Sequence, residues 1–174
     1  LRRRQRQMCI RDSYNTGRPV EVGMENGEAK YISKYIDSPN EPLYPFGFGL
    51  GYANIGIVHV MITNYVVSES GTIQLVVQLA NMSDYSGSTV LQCYTHQKVG
   101  ETVRPLKELK WFKKIYLLAN SKKEVTISLP VNNLVSVHSD LKSYVDEGYY
   151  DVMVGLNSSE LSHDDIQIKY LEED

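Results

Sequence analysis

Apolar residues recur along the second half of this chain with a period of two. Ile73, Leu75, Val77 and Leu79 alternate with Thr72, Gln74 and Gln78, and Val125, Ile127 and Leu129 alternate with Glu124, Thr126 and Ser128. That alternation places one face of an extended strand in a core and the other in water. Further strands are predicted over 57–67, 89–96, 109–117, 149–154 and 166–171. Turn-forming clusters separate them: Ser68 to Gly71, Asp84 to Ser88, Ala119 to Lys122, Asp146 to Gly148 and Leu156 to Ser159. About seven short strands without helical periodicity predict an all-β, antiparallel sandwich over 55–174.

Residues 13–54 have a different texture. Four of the six prolines fall there (Pro19, Pro39, Pro42 and Pro45), together with Gly17, Gly23, Gly27, Gly47, Gly49 and Gly51. Such punctuation forbids long helices and predicts extended connections around one short element, Ala29 to Ile36.

Charge singles out the start of the chain. Residues 1–12 contain five Arg and one Asp, whereas the chain has 18 basic and 21 acidic residues, so the remainder carries a net charge of −7. Arg3 to Asp12, RRQRQMCIRD, reads as the in-frame translation of a common sequencing adapter, so 1–12 is set aside as a scar. Without it, a nucleic-acid partner loses the only basic arm that would release phosphate counterions. No apolar run approaches the roughly 18 residues that span a bilayer. Thirteen Tyr against three Phe and one Trp suits half-buried rings with wet hydroxyls on sheet surfaces.

Candidate chemistry is sparse. Cys93, flanked by Val90, Leu91 and Tyr94, is expected to be a small buried hydrophobe. His59, His96, His138 and His163 show no metal-ligand spacing, so neither a metal nor a cofactor is expected. His138-Ser139-Asp140 and Ser162-His163-Asp164 bring triad residue types together, but neighbours on an extended segment point to opposite faces, and both are expected to be loops. Lys107, Lys110, Lys113, Lys114, Lys122 and Lys123 gather around one predicted hairpin, where Glu108 and Glu124 make them a solvated face. Asn81 and Asn157 head two glycosylation sequons.

The stretch PFGFGLGY, residues 45–52, alternates glycine with large apolar groups. It lacks the spacing and context of a phosphate loop. The expected role is a close-packed seam, with another backbone against the glycine side. The other reading is an aromatic platform for a sugar ring.

The longer motifs are recognisable. YNTGRP at 14–19, KYISKYIDSPNEPLYPFGFGLGY at 30–52, VGETVRPLKELKWFKKIYL at 99–117 and EGYYDVMVG at 147–155 resemble the C-terminal part of bacterial beta-glucosidases of glycoside hydrolase family 3. There LYPFGxGLSY precedes a fibronectin type III-like, immunoglobulin-like sandwich with a TRPxKELKGF motif and a PGxFxVMVG strand. This chain departs at Trp111, at Leu117 to Ser121, at Glu147-Gly148 and at Gly51. An indole where the family has glycine implies that Trp111 is covered or at an edge.

The resemblance implies that 13–54 is the tail of an α/β sandwich domain with its linker, and that 55–174 is the fibronectin type III-like domain. It also implies a parent that retains configuration while hydrolysing beta-linked glucosides, with an Asp nucleophile and a Glu acid/base roughly 5–5.5 Å apart. Both would precede Ser13, so no catalytic residue is assigned here, and the fragment is expected to be inactive alone. Arg18, directed by a Gly-Arg-Pro turn, is the one candidate substrate contact. The implied partners are the missing upstream catalytic domains, and the implied location is periplasmic or secreted. The competing reading is a stand-alone carbohydrate-binding or adhesion module, using Tyr44, Phe46, Phe48, Tyr52 and Trp111 as its exposed row.

Overall fold

A computed structural model describes residues 43–100 and 104–169. The order of elements is β1 (Ile55–Ile62), β2 (Val66–Ser68), β3 (Thr72–Asn81), β4 (Gly87–Gln97), β5 (Glu108–Leu117), β6 (Lys122–Pro130), a single 3₁₀ turn (Val131–Leu134), β7 (Ser136–Val137), β8 (Ser143–Tyr144), β9 (Gly148–Gly155) and β10 (Leu161–Lys169). One sheet has the order β1-β3-β6, the other β2-β10-β9-β4-β5, and β7-β8 form a small ribbon at one end. The two main sheets face each other across a single core.

The alternation read from the sequence supplies that core. Ile73, Leu75, Val77 and Leu79 of β3 and Ile127 and Leu129 of β6 are fully buried, opposite Leu91 and Cys93 of β4 and Val152 and Val154 of β9. Pairing keeps inward residues level: Leu75 lies beside Ile62 on one side and Ile127 on the other. Burying side chains of this size stabilises the fold by roughly 1.5–3 kcal/mol each.

Three predicted boundaries differ from the observed ones. The strand expected over 57–67 is two strands in different sheets. The break is at Asn64, whose Oδ1 accepts from the Gln74 amide (3.0 Å) and whose Nδ2 donates to the Thr72 carbonyl (2.8 Å). Its side chain replaces ladder bonds to β3 and releases the backbone, so β2 crosses over to pair in parallel with β10. The last strand begins at Leu161 rather than Ile166, so Ser162-His163-Asp164 is strand rather than loop. Its polar residues pair with β9 from Leu161↔Gly155 onward, a non-local constraint that outweighs weak local β-propensity. Finally, β5 and β6 do not form a hairpin: they belong to opposite sheets, and the lysine-rich corner between them is a crossover.

The β7-β8 ribbon closes through a turn in which the Leu141 amide donates to the His138 carbonyl (3.0 Å). Leu141 adopts φ 65° and is 86% exposed. A non-glycine residue in that region costs roughly 1–2 kcal/mol and gains no burial here. Leu141→Gly is therefore expected to raise stability by about 0.5–1 kcal/mol, after allowing for glycine's greater unfolded-state freedom. A urea unfolding midpoint that falls instead would refute this.

Candidate functional site

Cross-strand register assigns the outer face of the five-stranded sheet. Gln92, Tyr94 and His96 of β4 lie beside Gly155, Met153 and Asp151 of β9. Gln92, Tyr94 and Met153 are nevertheless buried. Over Gln92 lie a strap around residues 45–48, which turns at Phe46-Gly47, and the start of the loop 156–160.

The strap is tightly built on its inner side. Phe48 N–H donates to the Pro45 carbonyl (2.9 Å), closing a turn, and Ser158 N–H donates to the Phe46 carbonyl (2.8 Å). Gly47 has φ +84°, and a β-carbon there would stand 2.3 Å from the Gln92 amide nitrogen, so this position requires glycine. Gln92 in turn reaches the Leu156 carbonyl (3.4 Å) and accepts from the Tyr94 hydroxyl.

The strap's outer side is open. Tyr44, Phe46, Phe48, Leu50 and Tyr52 are all exposed, reaching 92% at Leu50 and Tyr52. Tyr44 and Phe48 rings meet at 5.0 Å, and Tyr52 meets Tyr85 at 6.4 Å. This corrects the expected close-packed seam: only Gly47 is approached closely, while nothing lies within 4 Å of a β-carbon at Gly49 or Gly51. Trp111 is at an edge and covered at once, partly buried on strand β5 against the core. Arg18, the expected substrate contact, lies outside the described residues, as do the Ala29–Ile36 element and the 1–12 segment.

A second polar cluster sits at the sandwich end, and sequence reasoning missed it. Arg104 Nε donates to Gln97 Oε1 (3.2 Å), its Nη2 donates to Ser136 Oγ, and it lies 3.6 Å from Asp146 Oδ2. Gln97 Nε2 donates to the same carboxylate oxygen (2.7 Å). His138, its side chain fully buried, stacks on Tyr144 at 3.6 Å and places Nε2 3.5 Å from Asp146 Oδ1. His138 lies in the turn between β7 and β8, as expected of a loop residue, while its side chain belongs to a buried network. The signal was present as Arg-Pro at 104–105 and Asp-Glu-Gly at 146–148, but nothing local pairs residues 42 positions apart. Lys107 Nζ donates to the Ser158 carbonyl (2.6 Å), tying the same motif to the strap's loop.

Two further histidines make local contacts. His163 Nδ1 lies 3.2 Å from Asp151 Oδ2, and His96 Nδ1 lies 2.9 Å from the Pro105 carbonyl. The Asp165 carboxylate, accepting a hydrogen bond from Lys98, holds that ammonium above its ordinary range. The charge of Asp164 raises the Tyr65 phenol. Among the described residues no group of three or more His, Cys, Asp or Glu side chains could hold a metal ion.

Asn81, at the first sequon, is buried, its Nδ2 donating to the carbonyls of Tyr85 (2.8 Å) and Leu118 (2.9 Å). At the second sequon Asn157 Oδ1 accepts from the amides of Ser159 and Glu160, and Ser158 is buried. Both asparagine side chains are fastened by hydrogen bonds to the backbone of the folded domain.

Cys93 is fully buried, and burial pushes its thiol up to about 12. The folded value lies above the unfolded one, near 8.5, so the neutral thiol's contribution is intact below that pH and is lost as pH rises toward 12. The native chain is expected to resist thiol labelling at pH 8 at this position, with labelling appearing in step with urea unfolding. Rapid labelling of Cys93 in the folded chain would contradict the burial.

The sequence of 89–158 matches the family described as Fibronectin type III-like domain. Among similar proteins, the periplasmic beta-glucosidase of Salmonella typhimurium is 30% identical over 154 residues, 88% of this chain and 20% of that protein. A putative beta-xylosidase of Formosa agariphila is 30% identical, over 82% of this chain and 19% of its own length. The crystal structure of the Listeria innocua beta-glucosidase in complex with glucose superposes with a TM-score of 0.79 at 30% identity, covering 91% of this chain and 22% of that one. The Bifidobacterium adolescentis GH3 beta-glucosidase gives 0.65 at 28% identity, over 75% of this chain and 20% of that one.

The sandwich is a fibronectin type III-like domain. The chain spans about a fifth of the length of the beta-glucosidases and beta-xylosidases it matches, and it is consistent with a fragment of a glycoside hydrolase family 3 beta-glucosidase.

Proposed function

We propose that this chain is the non-catalytic, C-terminal structural portion of a beta-glucosidase that hydrolyses beta-linked glucosides in its full-length parent. The observation that carries this reading is the strap: fastened to the sheet by Gly47, Gln92 and Ser158 on one side, it leaves five large apolar side chains open on the other. A contiguous apolar surface of this kind marks an interface. In the parent it is covered by the upstream catalytic domains, which the sandwich braces. Residues 13–54 are then the end of the preceding α/β domain and its linker, 55–174 the bracing domain, and 1–12 foreign to both.

The chemistry of a retaining glycosidase needs two carboxylates flanking the scissile bond. On this reading both belong to the upstream domains, and Arg18 is the part of this chain that would come nearest the substrate. A periplasmic or secreted location follows the Salmonella relative; no helix among the described residues is long and apolar enough to cross a membrane.

The purified chain is expected to release no chromophore from an aryl beta-glucoside, and measurable turnover would overturn the proposal. The exposed rings also support a second reading, a stand-alone carbohydrate-binding module. Retention of the chain on insoluble beta-glucan, lost on Phe46→Ser with Phe48→Ser, would favour that module. No retention would leave the bracing role.

A further inference from the structure

Two connections cross from one main sheet to the other at the same end of the sandwich. Residues 82–86 carry the chain from β3 to β4, and 118–121 carry it from β5 to β6. One side chain joins them. Asn81, the last residue of β3, is 2% exposed. Its Nδ2 donates to the Tyr85 carbonyl of the first connection (2.8 Å) and to the Leu118 carbonyl of the second (2.9 Å). Its Oδ1 accepts from the Ser83 amide (3.2 Å) and the Ser83 hydroxyl (2.8 Å). A carboxamide has two donor hydrogens and two acceptor lone pairs, and here all four are engaged.

The surrounding bonds join the same segments. The Asn120 amide donates to the Ser83 carbonyl (3.0 Å), the Ala119 amide to Ser86 Oγ (3.1 Å), and the Asn54 amide, just before β1, to Ser83 Oγ (3.1 Å). Asn81-Met82-Ser83 is also the first of the two sequons.

We propose that folding closes this sequon: Asn81 is the clasp between the two crossings, and a glycan on its Nδ2 and the folded sandwich exclude each other. Transfer from a lipid-linked diphosphate oligosaccharide would bond Nδ2 to the anomeric carbon of the first sugar. That carbon's bond to the diphosphate oxygen breaks, the lipid diphosphate leaves, and the nitrogen loses one proton. A single N–H would then remain for two carbonyls, and the sugar ring would stand where the Tyr85 or the Leu118 carbonyl now stands. Both are backbone groups, so making room for the ring separates a crossing from β3. The second sequon differs in kind. Asn157 Nδ2 donates to the Glu160 carboxylate (3.4 Å), a side chain that can swing aside, and the backbone amides of 159 and 160 are held by Oδ1. The clasp lies within the sandwich and stands apart from the bracing role.

The test is cell-free translation of the 174-residue chain, led by a secretory signal, into eukaryotic microsomes. Protease digestion of the released chains reports folding, and peptide mapping reports occupancy of Asn81. Protease-resistant chains are expected to carry Asn81 bare. In Leu75→Asp, which places a charge in the fully buried core and prevents folding, Asn81 is expected to be glycosylated. A glycan on Asn81 in protease-resistant chains overturns the proposal. So does an Asn81 left bare in Leu75→Asp, since something other than folding would then close it. Urea unfolding tests the clasp without any transferase. Asn81→Asp sets an oxygen against two carbonyls and is expected to lower the midpoint by about 1 M or more, whereas Asn157→Asp, which keeps the acceptor, is expected to lower it by less than about 0.3 M. An unchanged midpoint in Asn81→Asp overturns the clasp.

Discussion

Arg104→Ala is expected to lower the unfolding free energy by about 3 kcal/mol, the low end of the range for removing one partner from a buried ion pair. The low end applies because the Arg104 and Asp146 side chains remain 15% and 18% exposed. The guanidinium serves three acceptors on three segments: Gln97 at the end of β4, Ser136 on β7, and Asp146 before β9. Removing it leaves the Asp146 carboxylate with Gln97 and His138 as neighbours and no fixed positive charge. Arg104→Lys should recover less than half of the loss, since an ammonium cannot form the planar fork that addresses Gln97 and Asp146 together. Urea melts of Arg104→Ala, Asp146→Asn and the double variant form a cycle with an expected coupling of about 1–3 kcal/mol. Coupling below a few tenths would show that the cluster is merely adjacent. This network gives the RPLKELK stretch a physical role: Arg104 locks the sandwich end, Lys107 holds the loop under the strap, and β5 follows directly.

Gly155→Ala is the second large effect, with an expected loss of about 3 kcal/mol through overpacking. A β-carbon at Gly155 would lie 2.4 Å from the Glu160 carbonyl oxygen and 2.9 Å from that of Asn157, both backbone atoms that cannot swing aside. Relief requires the 156–160 loop to move. That loop supplies the Ser158 amide to Phe46 and the Ser158 carbonyl to Lys107, so the strap should loosen with it. Protease cleavage near residues 43–52 is expected to accelerate in Gly155→Ala more than global stability loss explains. Gly49→Ala and Gly51→Ala, with open space around them, are expected to be nearly neutral. If all three glycines behave alike, the strap is not anchored through Gly155.

These contrasts show where the sequence was legible. The inward residues of β3 and β6 were readable because a period of two needs no partner to be recognised. The same holds for Cys93, whose apolar neighbours announced its burial on β4. Asn64, by contrast, sits inside an apolar run that reads as one strand; only its two side-chain bonds to the Thr72–Gln74 backbone reveal a change of sheet. Ser162 to Asp164 are too polar to read as strand, and the β9 ladder overrides that preference.

PFGFGLGY marks the limit most clearly. Its alternation predicts a seam with another backbone against the glycine side; instead the stretch turns at Phe46-Gly47, and of its glycines only Gly47 is closely approached. Local pattern determined the strands, the core and the turn chemistry, because those depend on neighbours within a few residues. The pairing of Arg104 with Asp146, the sheet switch at Asn64 and the close approach of Gln92 to Gly47 were decided by tertiary structure. Each depends on which distant backbone arrives at a given point, and one-dimensional periodicity carries no information about that arrival.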